Sequence, residues 1–68
     1  MTTGRKNYHF RVYYLVRDME VIRLIADKFG VYVSVNYESK IVTDAEGAEL
    51  VRELEKRKFI KIREYGEN

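Results

Sequence analysis

Sixty-eight residues with 13 Lys and Arg against 11 Asp and Glu, a net charge of +2 and a pI near 9.0, describe one small, mildly basic domain. With no cysteine and a single histidine, disulfide-stapled and zinc-held scaffolds are excluded. No stretch approaches the roughly 20 apolar residues of a bilayer span, and the basic start has no apolar run behind it, so neither a membrane anchor nor a signal peptide is expected. The chain reads as a cytoplasmic protein.

Residues 1–6 lack apolar periodicity and are expected as a flexible basic tail of the single domain 1–68, with residues 66–68 loose at the other end. Tyr8 to Val16 is dense in aromatic and β-branched residues, the composition of a pleated surface, and predicts a first strand. Alternation gives Phe10, Val12, Tyr14 and Val16 one face, and His9, Arg11, Tyr13 and Leu15 the other. Asp18 stands where a helix N-cap belongs. Apolar residues at Val21, Ile22, Ile25, Ala26 and Phe29 follow at helical spacing, and Gly30 supplies a left-handed stop, so a helix is predicted over 18–29.

Val31, Val33, Val35 and Tyr37 alternate with Tyr32, Ser34 and Asn36 and predict a second strand. A turn at Glu38-Ser39 leads to a short third strand, 40–42. A two-residue loop would set Val42 inward beside Val35, and a three-residue loop would set Ile41 inward beside Tyr37. Thr43 to Glu46 reads as a capping box, with Thr43 as the cap, opening a helix over 44–57. Acids gather at its start and Lys56, Arg57 and Lys58 at its end, as the helix dipole favours. Gly47 interrupts it at a cost of about 1 kcal/mol relative to alanine and suggests close packing on the sheet. Phe59 to Arg63 alternates again and predicts a fourth strand, followed by a polar tail from Tyr65.

One apolar face per strand and one apolar stripe per helix call for two layers. The expected architecture is α+β: a two-layer βαββαβ sandwich, with a four-stranded antiparallel sheet and both helices on one face. Right-handed crossovers put strands one and three in the centre. This element order resembles the ferredoxin-like superfold, a resemblance that implies a fold and no function.

The uncovered sheet face is the candidate site. Strand parity assigns to it His9, Arg11 and Tyr13 from the first strand, Tyr32 from the second, and Phe59, Lys61 and Arg63 from the fourth, with Tyr65 continuing the row. Rings interleaved with cations suit nucleic acid, since bases stack on the rings while cations follow the phosphates. Arg5 and Lys6 would add a cationic arm. The expected partner is DNA or RNA, bound by a small homodimeric protein. The alternative is a protein-interaction module, a homodimeric regulator or an inhibitor, that buries the same aromatic face against a protein. The chain departs from the RNA-recognition-motif family, whose third strand carries stacking aromatics, because Lys40-Ile41-Val42 has none.

No enzyme, metal or cofactor is expected. His9 has no partner at ligand spacing, Ser34 and Ser39 lack a nucleophile-elbow context, and Gly47 belongs to no phosphate loop. The helix carboxylates are explained by capping, the dipole and the Glu53–Arg57 pair. An excess of Glu, Lys and Arg with no proline, tryptophan or glutamine fits a thermophilic or viral origin.

Overall fold

The computed structural model describes residues 6–68; the predicted tail, including Arg5, lies outside the described residues save for Lys6. In chain order the elements are β1 (Tyr8–Tyr14), α1 (Met19–Phe29), β2 (Glu38–Thr43), α2 (Ala45–Lys56) and β3 (Ile60–Glu67). The strands form one antiparallel sheet in the order β2-β1-β3. The sheet therefore has three strands, and the four-stranded βαββαβ expectation is corrected. The neighbours that remain match the expected ones, with the first predicted strand between the third and the fourth. The outer strand, predicted over Val31–Tyr37, is what is missing.

The reason lies in the backbone of that segment. Ser34 Oγ accepts from the amides of Asn36 and Glu38, both at 3.2 Å, and Tyr37 takes a left-handed φ of 61°. These bonds wind the segment into a turn and use amides that a ladder would need. Among the described residues, the only backbone bond from the segment to β2 is Ser34 N–H to Glu38 O at 2.8 Å. Val31, Val33 and Tyr37 still pack against the core, but Val35 is 94% exposed. Periodicity of two survives in the packing as far as Val33, lapses at Val35 and fails in the hydrogen bonding.

Both helices begin and end as their local chemistry dictates. Asp18 caps α1 by accepting from Glu20 N at 3.0 Å, and Gly30 at φ 67° closes it with bonds back to Ala26 and Asp27. At α2 the cap is Asp44, which accepts from Gly47 N at 3.0 Å, and not Thr43. Thr43 is held in the ladder opposite Tyr8. A Cβ on Gly47 would overlap the Thr43 side chain, so this glycine relieves that contact.

Phe10, Val12 and Tyr14 of β1 form one buried cluster with Ile41, Ile60, Ile22, Ile25, Ala48 and Val51. Residues of both helices share the cluster with the even-numbered residues of β1, so the helices cover one face of the sheet. Each fully buried Val, Ile or Phe side chain contributes about 1.5–3 kcal/mol. Tyr14 is 0% exposed; its hydroxyl donates to Ser39 Oγ at 2.9 Å, and Ser39 Oγ donates to Tyr32 O at 2.6 Å. Burial pushes the Tyr14 phenol above its usual pKa. Of the two registers left open for the predicted third strand, Ile41 faces the core and Val42 is 55% exposed.

The two sheet edges differ. On β3, Ile62 N–H donates to the Glu55 carboxylate at 2.9 Å, and a bulge breaks the strand at Arg63. On β2, Glu38 O points away from β1 to meet Ser34, so by alternation the backbones of Lys40 and Val42 also face the edge. Among the described residues no hydrogen bond engages those edge groups outside the ladder. No helix among the described residues is long and apolar enough to cross a membrane.

Candidate nucleic-acid interface

The helix-free face is built in rows across the three strands. Val42, His9 and Gly66 make one row, Lys40, Arg11 and Glu64 the next, and Glu38, Tyr13 and Lys61 the third. Arg11, Tyr13 and Lys61 thus stand together on the face, as strand parity requires.

Arg63 joins them by a different route. Val12 pairs with Ile62 and Arg11 with Glu64, so Arg63 is the extra residue of a β-bulge. Its guanidinium lies 6.0 Å from the Tyr13 ring centre and 3.8 Å from Glu38 Oε2. Beyond the bulge the alternation is shifted by one residue. Tyr65, expected on the open face, instead pairs with Phe10 on the helical side, ring centres 5.2 Å apart, with Arg52 over both rings. Glu64 takes the outward position and meets Arg11 at 3.7 Å. One unpaired residue therefore exchanges a ring for an acid on the open face.

The other predicted residues fall into place as follows. His9 sits between Val42 and Gly66, and its Nε2 is buried without a hydrogen-bond partner among the described residues. Phe59 packs against the core cluster ahead of β3. Tyr32 is 95% exposed on the loop beside β2. Lys6 is paired with Glu67 at 2.9 Å, and that carboxylate also accepts from the Tyr65 hydroxyl. The Tyr65 hydrogen bond, then Lys6, holds the Glu67 carboxyl below its usual range, while Glu67 raises both the Lys6 ammonium and the Tyr65 phenol. This cluster closes the far end of β3 and occupies the Lys6 charge.

Two functional candidates escaped the sequence reading. Arg17 follows β1 and locks Tyr13: its Nη2 donates to the Tyr13 hydroxyl at 2.7 Å and its Nη1 to Tyr14 O at 2.9 Å. Its guanidinium also covers the Tyr37 ring at 4.5 Å. Its signal was the unpaired acid-free stretch before Asp18. Lys40 was missed because its facing depends on a register that the sequence left open.

The face thus carries Arg11, Lys40, Lys61 and Arg63 against Glu38 and Glu64. Its relief forms two grooves of about 320 and 390 Å³ that share Arg11 and Lys40 as a common wall; Tyr32, Ser34 and Glu38 line the second. Among the described residues no three His, Asp or Glu side chains gather as metal ligands. No protein-family model, curated protein or solved structure matches the chain.

Proposed function

We propose that the protein is a small, cytoplasmic nucleic-acid-binding protein that uses the helix-free face of its sheet. The reading rests on one observation: Arg11, Lys40, Lys61 and Arg63 surround Tyr13 on a face that none of the described elements covers. Cations at strand spacing engage successive phosphates, and exposed rings at the rim offer stacking surfaces worth roughly 1–3 kcal/mol per base. Glu38 and Glu64 temper the charge through ion pairs of 3.8 and 3.7 Å, both between partly exposed side chains. Such contacts are weak enough for a phosphate to displace.

Retardation of single- and double-stranded oligonucleotides at low salt tests the reading. Binding should weaken steeply as salt rises, and Arg11→Glu with Lys61→Glu should abolish it while the circular-dichroism spectrum is kept. Binding that survives the double change would move the site elsewhere; no retardation by the unmodified protein would end the proposal.

A second reading, a homodimer or protein-interaction module, draws on the β2 edge. Lys40 and Val42 present free backbone groups there, and Tyr32, Val35 and Val42 are exposed beside it. Association through this edge would be nearly indifferent to salt, which separates it from phosphate binding.

A further inference from the structure

Arg11 and Lys40 are directly opposed across β1 and β2. Because the Lys40 backbone faces the sheet edge, the pair is of the non-hydrogen-bonded kind, whose side chains stand closest, with Cβ atoms about 4.5–5.5 Å apart. Two cations so opposed repel each other and destabilise the sheet. The one acid in their row, Glu64, lies on the far side of Arg11 at 3.7 Å, and Lys40 has no ion-pair partner among the described residues. A lysine that only protected the edge from aggregation would do so opposite any residue. Opposite an arginine it carries a cost that an anion between the two would relieve.

The surroundings point the same way. His9 lies in the adjoining row and lines the first groove with Arg11 and Lys40. Tyr32 stands at the rim of the second groove, on the other side of the same two cations. We infer that the Arg11–Lys40 pair, with His9 beside it, is a phosphodiester subsite, and that Tyr32 is the stacking platform for the neighbouring base of a single strand. The inference rests on the nucleic-acid reading above and adds to it a ligand class: unpaired rather than duplex nucleic acid, since a duplex offers no free base to Tyr32.

Lys40→Met keeps the side-chain stem and removes the charge. It should raise the thermal midpoint by about 1–5 °C through loss of the repulsion. In the same protein, affinity for a single-stranded oligothymidylate of about twelve nucleotides should fall about tenfold at low salt, and the salt slope should fall by about one. Inorganic phosphate, against chloride at equal ionic strength, should raise the midpoint of the unmodified protein more than that of Lys40→Met. Tyr32→Ala should weaken the single strand and leave a duplex of equal length unaffected.

If Lys40→Met binds the oligonucleotide as the parent does, the subsite is overturned while the proposed function stands. If the parent binds no oligonucleotide, both fall. Binding to phosphatidylserine vesicles in place of oligonucleotides would likewise reject the nucleic-acid assignment and identify the shared phosphate chemistry as a lipid headgroup's.

Discussion

Tyr13 and Tyr14 are the same side chain at adjacent positions, and they live in different chemistries. Tyr14 is fully buried among the residues beneath the helices, its hydroxyl spent on Ser39. Tyr13 lies on the open face, its hydroxyl taken by Arg17 and its ring flanked by Arg63. A peptide unit turns each successive residue by half a turn, so β1 separates stability from surface chemistry residue by residue. Substitutions on the helical face should therefore read out as folding, and those on the open face should leave folding nearly unchanged.

The sharpest break comes at Ile41, the neighbour of Lys40 on the opposite face. Ile41→Ala should cost about 2–5 kcal/mol, because it removes fully buried methylenes and leaves a cavity. In a domain of this size that is a large part of the total, and urea denaturation should show the midpoint falling steeply or the fold lost. Were Ile41→Ala to prove as mild as a change on the open face, the division of labour between the faces would be wrong.

Gly47→Ala comes next. Helix propensity alone favours alanine by about 1 kcal/mol. The overlap with Thr43 reverses the sign, for an expected net loss of about 1–2 kcal/mol, because Thr43 is fixed in the ladder and its branched carbon cannot swing away. Adding Thr43→Gly at the same time should recover much of the loss in helix stability measured by thermal melting. A stabilising single change would show that Thr43 yields.

The smallest effect separates the two tyrosines. Tyr14→Phe should cost about 1 kcal/mol by removing the buried hydrogen bond that its hydroxyl donates to Ser39 Oγ, whereas Tyr13→Phe should stay within about 0.5 kcal/mol. Alkaline pH sharpens the contrast. Burial raises the Tyr14 phenol above 10.0, so the folded protein keeps a proton that the unfolded chain releases. Its contribution is complete below that value and is lost as pH climbs through the raised one. Tyr65, raised by its contact with Glu67, acts in the same direction in parent and variant alike. Stability should therefore decline less steeply above pH 10 in Tyr14→Phe than in the parent, as equilibrium denaturation across alkaline buffers would record.

The features legible in the sequence are those set by nearest neighbours. Asp18 and Gly30 bound α1 because caps act within one turn, and the facing of Phe10 to Tyr14 follows from simple alternation. Three expectations failed where a longer-range choice decides. Val31 to Tyr37 alternates like a strand, yet Ser34 and the left-handed Tyr37 turn it, and no glycine advertises the turn. The bulge at Arg63 leaves no mark in residue types, since any side chain serves as the extra residue, so Glu64 and Tyr65 were assigned to each other's faces. The cap of α2 moved from Thr43 to Asp44 because the ladder holds Thr43. On the open face, the outward facing of Arg11, Tyr13 and Lys61 follows from alternation and Arg63 arrives through the bulge, while Phe59 packs on the core and Lys6 pairs with Glu67. Lys40 was hidden by an undecided register.

The Glu55 carboxylate on the Ile62 amide takes one donor of the β3 flank out of reach of any added strand. A sheet sticky on both flanks adds molecules without limit and ends as a fibril. Here a carboxylate of the covering helix already occupies a donor in the first half of β3, so a strand laid alongside that flank would find one of its amides in use.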